Sequence, residues 1–453
     1  MASKSRTIFK KIFKWLGIVL LSLFVLIFLL ILALRTPWAQ QYITNKAISY
    51  VSEKTHTRIE LQKLFITFRG DIQLEGIYVE DQLKDTLLFV GDLEAGVAFL
   101  PLIDGNINIS RINWNGLVAN VNRNQDSAFN FDFLIDAFAS NAEEDTVAEA
   151  DSPLPKIAIG PVHFSSFKLH YRDEILGLDA KLDLGKLSLT TDEIDLNTLA
   201  IKLDELALEN VTLDATKWLE TAASEEDTTR SQLPFISWNN INLKNVKLSY
   251  RSPDDKLVVG TVLGELAISN SEIDLQKQAV FVNELALKNT VAFAQLPASE
   301  PKDTTAVPEP FAWPNWKLKL NKLKLVDNAI DLNVGGAFET PNEFNPSNMR
   351  INGLQLLVED VEFIHNTAKL DVKHLALKEK SGFVLNQLGL KVELNNDQLI
   401  VWNLNLQTPF NQLGANVSVD YKSIDSLIQN PLSSSFNLDL TQANLSIQDA
   451  YYF

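Results

Sequence analysis

Beyond residue 58 the chain is dominated by apolar side chains at alternate positions. Examples are Leu182-x-Leu184, Leu187-x-Leu189, Leu206-x-Leu208, Leu248-x-Tyr250, Leu318-x-Leu320, Leu323-x-Leu325 and Leu388-x-Leu390-x-Val392-x-Leu394, with Lys, Asp, Glu, Asn and Ser between them. Period-two alternation specifies strands with one apolar and one wet face. Runs such as LKLNKLKL change phase midway, as a bulge or a turn requires. A one-sided sheet must hide its apolar face by closing into a barrel, packing on a second sheet, or curling into a groove. Helical pattern is sparse, with Phe131–Phe138 and Thr216–Ala223 as the best short candidates.

The alternation repeats at long range. Segment 155–172 aligns without gaps on 234–251, and a third copy starts near Pro314 after a two-residue gap. Acidic Ala/Ser/Thr/Pro-rich stretches, 139–152, 221–232 and 297–310, precede the three copies. They hold little to bury and read as loops. Repeated strand units that cannot close a core alone indicate a quasi-one-dimensional stack. The expected fold is mainly β, an elongated, curved, antiparallel β-groove. The segments are 58–138, 155–220, 234–296 and 314–453. About 25 strands at 4.8 Å each would reach roughly 120 Å.

The N-terminus has a different character. Residues 1–14 form a basic tail with five positive charges and no acid, and Trp15–Leu34 runs twenty residues without a charge. At 1.5 Å per residue such a helix spans the roughly 30 Å hydrocarbon core. It is longer than the apolar stretch of a cleaved signal peptide. The expectation is one transmembrane helix, with Trp15, Leu20, Phe24, Phe28, Leu34 and Trp38 as anchor positions and the N-terminus cytoplasmic. Residues 35–57 carry Tyr42, Ile43, Ala47, Ile48 and Val51 at helical spacing, which predicts a juxtamembrane amphipathic helix.

Charge and composition exclude several functions. The whole chain carries −17, and the first 35 residues hold six positive and no negative charges, which leaves −23 beyond them. Nucleic acid is therefore not an expected partner. With no cysteine there is no disulfide, thiolate metal ligand or thiol nucleophile. No phosphate-loop, dinucleotide, nucleophile-elbow or H-E-x-x-H motif occurs. His163 and His170 stand seven apart, on opposite faces of an uninterrupted strand. The sequence predicts no enzyme, no metal and no cofactor.

Residues 58–121 carry a further pattern: Gly70-Asp71-Ile72-x-Leu74-x-Gly76-Ile77, Asp85-Thr86-Leu87-Leu88, Leu100-Pro101-Leu102 and Trp114-x-Gly116-Leu117. With Arg35-Thr36-Pro37-Trp38 and Asn130-Phe131-Asp132-Phe133-Leu134, the first 140 residues or so resemble the AsmA/TamB family, most closely its Bacteroidota TamB-like members. The resemblance implies a periplasmic β-groove anchored in the inner membrane that moves phospholipid toward the outer membrane. It also implies an outer-membrane assembly role beside an Omp85-type barrel, through a C-terminal region that this sequence does not contain. On that resemblance the 453 residues are expected to be the N-terminal part of a longer protein. The acyl chains would lie on Leu182, Leu184, Leu187, Leu189, Leu206, Leu208, Leu248, Leu318, Leu320, Leu323, Leu325, Leu388, Leu390, Val392 and Leu394. The alternative is a periplasmic scaffold or chaperone whose strand edges template outer-membrane β-proteins.

Overall fold

A computed structural model describes residues 36–67, 71–97, 107–138, 157–195, 198–219, 233–298 and 310–453. Trp15–Leu34, and with it the anchor positions Trp15, Leu20, Phe24, Phe28 and Leu34, lies outside them. Among the described residues no helix is long and apolar enough to cross a membrane.

The first described element is helix α1, Pro37–Thr55. Thr36 caps it by accepting from the Ala39 N–H, and His56 ends it in the left-handed region at φ 55°. Its packed stripe differs from expectation: Gln40, Thr44 and Thr55 are buried, while Tyr42 and Ala47 are exposed. Ile43, Ile48 and Val51 are half-buried. Helix α2, Asp132–Phe138, forms where the short apolar run predicts one. The other candidate does not, because Thr216 and Lys217 are the last residues of strand β8; Glu220–Ala223 lie outside the described residues.

Nineteen strands form one sheet among the described residues. They are β1 (Ile59–Ile66), β2 (Asp71–Glu80), β3 (Thr86–Val97), β4 (Ile107–Arg123), β5 (Ile157–Ile159), β6 (Val162–Asp173), β7 (Leu178–Asp195), β8 (Ala200–Lys217), β9 (Phe235–Ser252) and β10 (Leu257–Asp274). The second half comprises β11 (Ala279–Lys288), β12 (Val291–Leu296), β13 (Lys317–Val334), β14 (Asn348–Ile364), β15 (Thr367–Glu379), β16 (Val384–Leu394), β17 (Gln398–Gln407), β18 (Gln412–Asp420) and β19 (Ser435–Asn444). Each strand pairs with its neighbours in chain order. β5 and β6 lie end to end against β4, and β11 and β12 end to end between β10 and β13. The nineteen strands therefore fill seventeen positions. At ~4.8 Å per step that is roughly 75–80 Å, shorter than the strand count expected from sequence.

The sheet is mixed, which corrects the all-antiparallel expectation. β4 runs parallel to β5 and β6, β8 to β9, and β11 and β12 to β13. A parallel neighbour must start at the opposite end of the preceding strand, so the chain returns across the sheet before each of these strands.

Two creases cross the strands and bend the sheet. The first passes through Gly76, Gly91, Gly116, Ser166, Gly185, Asn210, Asn245, Gly264 and Asn289, each sitting in a gap of the pairing register opposite the next. Gly76, Gly116, Ser166, Asn210, Asn245 and Asn289 have φ between 52° and 68°. A left-handed residue inserted in a strand flips the following side chains back to the same face. The second crease passes through Asp204, Asn239, Asn270, Asn283, Asn321 and Asp360, with Asn270 and Asp360 left-handed. In the parallel pairs like residues come into register. There Asn245 donates to Asn210 at 3.1 Å, Asn239 to Asp204 at 3.0 Å and Asn321 to Asn283 at 3.0 Å.

The creases explain the phase changes. On β9 the inward residues are Ile236, Trp238, Ile241, Leu243, Val246, Leu248 and Tyr250, spaced by two except for a three-residue step across each crease. The Ser166 kink also returns His163 and His170 to one face, the polar one, contrary to simple alternation. That face carries cross-strand ion pairs such as Lys288–Glu265 at 2.9 Å and Lys322–Glu284 at 3.0 Å.

Several turns along one long edge of the sheet are fastened by a buried acid. Asp173 is fully buried at the β6–β7 turn and accepts from the Ile175 and Leu176 N–H groups at 2.9 Å and the Tyr171 hydroxyl at 2.7 Å, with Arg123 at 3.2 Å. Burial pushes its carboxyl up, but these hydrogen bonds and the Arg123 charge outweigh burial and hold it below the usual range. A lowered folded pKa gives stability that is present above the unfolded carboxylate pKa and lost as pH falls through the folded value. Amide protection at Ile175 and Leu176 is expected to fall below about pH 4, and Asp173→Ala to cost the turn about 1–3 kcal/mol. Protection factors unchanged between neutral and acid pH would contradict this.

Candidate functional site

Across the ladder, the inward side chains line up in rows perpendicular to the strands. One row crosses the whole sheet. It begins Leu64–Leu74–Leu93–Trp114–Phe164–Leu187–Leu208–Leu243–Leu266. It continues Leu287–Leu325–Leu356–Leu375–Leu388–Leu406–Leu413 and ends at Ala443. From Leu64 to Leu413 every member is half-buried. A second row two residues away runs from Ile66 through Ile72, Leu189, Leu206, Ile241, Ile268, Leu285 and Leu323 to Leu390.

Across the first crease a third row holds the core. Val90, Leu117, Leu184, Val211, Val246 and Leu263 are each 9% exposed or less. Leu187, Leu208, Leu243, Leu266 and Leu287 of the first row pack against four of them, so both rows lie on one face. The bend thus buries a single line of side chains and leaves the flanking leucines half open. A sandwich of two sheets would bury the inner rows fully; among the described residues there is only the one sheet.

The fifteen residues expected from the sequence to line a groove all face this side, on different rows. Leu187, Leu208, Leu325 and Leu388 lie on the full-length row, and Leu189, Leu206, Leu323 and Leu390 on the second. Leu184 is in the buried row. Leu182 and Leu248 are joined through Leu213, and Leu320 and Val392 lie toward the opposite end of their strands. Leu318 and Leu394 belong to an outer row that passes Ile236, Ile273, Val280, Phe363, Leu399 and Val419.

That outer row is not uniformly open. Trp313 and helix α3, Ile424–Gln429, cover it at one end: Val419, Tyr421 and Ile424 form a cluster that Trp313, Leu394, Leu399 and Leu427 pack against. Trp313 donates to Asn396 at 2.6 Å, and the Phe311 N–H to Asp425 at 2.7 Å, which ties the covering segment down. Leu394 therefore sits under a covering segment.

The sequence reading missed Leu64, Leu74, Leu93, Trp114, Phe164, Leu243, Leu266, Leu287, Leu356, Leu375, Leu406 and Leu413. The signal was present in the repeat: Phe164, Leu243 and Leu325 occupy equivalent places in its three copies and share the full-length row. Trp114 and Phe164 stack at 5.3 Å and are the only aromatic members of that row.

A hollow of about 530 Å³ lies over β2 to β8. Leu74, Leu93, Trp114, Phe164 and Leu187 of the full-length row line it, together with the polar residues that flank them on each strand. Three of its four acids are engaged: Glu75 with Lys63 at 2.7 Å, Glu94 with Arg111 at 2.6 Å and Glu209 with Lys186 at 4.0 Å.

Comparison with family models, with curated proteins and with solved structures finds no match to this chain. The site is thus characterised by its own geometry. It offers a bent, one-sided apolar track, half open along its length, without a cluster of three potential metal-binding side chains among the described residues.

Proposed function

We propose that this chain is an inner-membrane-anchored, periplasmic trough that conducts phospholipid acyl chains between the inner and outer membranes, and has no catalytic role. The observation that carries the reading is the half-buried leucine row that runs without a polar interruption from Leu64 to Leu413. A protein core has no need to leave such a row open, and a tether has no need of one. The resemblance of the first 140 residues to the AsmA/TamB family supports the same reading, and the basic tail followed by Trp15–Leu34 supports the anchor and its orientation.

The energetics suit transfer. Each buried CH₂ contributes about 0.8 kcal/mol, so a chain of about 16 carbons gains on the order of 10 kcal/mol in the trough. Leaving a bilayer costs a similar amount. The track is then close to isoenergetic with the membrane and removes the barrier of crossing water, while direction comes from another source.

Photo-crosslinking residues at Leu243, Leu325 and Leu356 are expected to capture lipid in cells, and one at Leu394 to capture Trp313 or α3 instead. Protein adducts alone at the first three positions would refute the conduit. The second reading, a scaffold for outer-membrane β-proteins working with an Omp85-type barrel, draws on β19. All ten of its residues are exposed, and Phe436, Leu438 and Leu440 are more than half so. Crosslinks from β19 to barrel precursors, with lipid balance intact in a deletion strain, would favour it.

A further inference from the structure

The strongest unexplained surface is on α1. A helix that meets only protein and water turns its apolar stripe inward. This helix buries Gln40, Thr44 and Thr55 and leaves Trp38, Tyr42 and Tyr50 at 77%, 55% and 54% exposure. Trp38 and Tyr42, one turn apart, stack at 6.1 Å, and the Lys54 ammonium lies 5.6 Å from the Tyr50 ring. Pre-stacked amphipathic aromatics in water imply a medium that accepts them.

We infer that α1 lies in the headgroup region of a bilayer, with Trp38, Tyr42 and Tyr50 toward the acyl boundary, and seats the first strand of the trough on the membrane. The inference deepens the proposed function and rests on it. Three observations select a lipid surface over a protein partner. The exposed residues are Trp and Tyr, the two side chains enriched where one end must be apolar and the other wet. The uncharged run Trp15–Leu34 ends three residues before Pro37, which keeps α1 within about a turn of a bilayer spanned by that run. The charge also fits: α1 carries Lys46 and Lys54 against Glu53 alone, in a chain otherwise strongly acidic beyond residue 35. Anionic headgroups would attract α1 and repel the rest.

The placement has a mechanical result. α1 packs on β1 and on α2, and the full-length row starts on β1 at Leu64. A helix held in the membrane plane fixes that end of the row next to the lipid reservoir, and the sheet cannot pivot away from it.

The 453 residues hold no cysteine, so one introduced cysteine gives one label among them. Nitroxides at Y42C and Y50C, in the 453-residue chain reconstituted into phosphatidylcholine–phosphatidylglycerol vesicles, would be compared with one at D254C in the β9–β10 turn. The expected result is that the first two are relaxed by oxygen and shielded from a water-soluble nickel chelate, at a depth of about 5–10 Å. The third stays open to the chelate. Because Tyr42 and Tyr50 are exposed, these changes leave the packing of α1 on β1 untouched. Equal chelate access at all three sites, in protein that floats with the vesicles, overturns the inference and leaves the conduit standing. Protein that fails to float overturns the anchor on which both depend.

Discussion

Leu325→Asp is expected to slow lipid movement along the trough about a hundredfold while the sheet stays folded. Leu325 sits mid-row between Leu287 and Leu356 and is half-buried. A carboxylate there keeps its water. Roughly four methylenes cross each strand spacing, so passing it exposes about 3 kcal/mol of chain, or about two orders of magnitude in rate. The folding cost is smaller, about 1–2 kcal/mol of lost burial, and is felt by adjacent strands only. A track in series has no detour on the same row, whereas Leu325→Ile keeps the surface apolar and transfer near the original rate. Vesicle-to-vesicle transfer of a fluorescent phospholipid measures it. A folded Leu325→Asp protein that transfers lipid within about twofold of the original would sink the proposal.

The second large effect concerns the crease. At Gly264 an added Cβ would lie 2.7 Å from the carbonyl oxygens of both Lys288 and Asn289 and 2.9 Å from the Asn289 Cβ. The two carbonyls are backbone at the β11–β12 break and the Cβ is fixed to it, so none can give way as the end of a flexible side chain can. Gly264→Val is expected to cost about 3–5 kcal/mol, read as lost amide protection confined to β9 through β13. Gly389→Ala, whose new Cβ would make an ordinary 3.5 Å contact, is the control and should cost less than about 1 kcal/mol. Equal protection in both variants would show that close packing at the crease is not what bends the sheet.

How much of this was legible in the sequence follows from which forces are local. The strands and their apolar face were readable, because side chains alternate on any extended backbone. The all-antiparallel expectation failed because the alternation is the same whichever way a neighbour runs. Only the register shows that β8 and β9 are parallel. The second crease was visible as a phase change in LKLNKLKL, but its meaning lay in partners on other strands: Asn321 faces Asn283 on one side and Asp360 on the other. On α1 the expected stripe held in part: Ile43, Ile48 and Val51 are half-buried, but Tyr42 and Ala47 face out and polar Gln40 and Thr44 are the buried residues. Helical spacing says that a face exists, not which medium it meets.

The identity of rows across the repeat makes length a free variable of this architecture. β6 and β9 are gapless copies, each follows a parallel junction, and Phe164 and Leu243 hold the same place on the full-length row. Excising the 79 residues from Pro155 to Leu233 would bring Leu243 opposite Trp114 and Asn245 opposite Gly116, with the first crease and the full-length row still aligned. The product would be the same trough, three positions shorter. Such a fold can be cut or extended to match the distance it must span, one unit at a time, with no redesign of its cross-section.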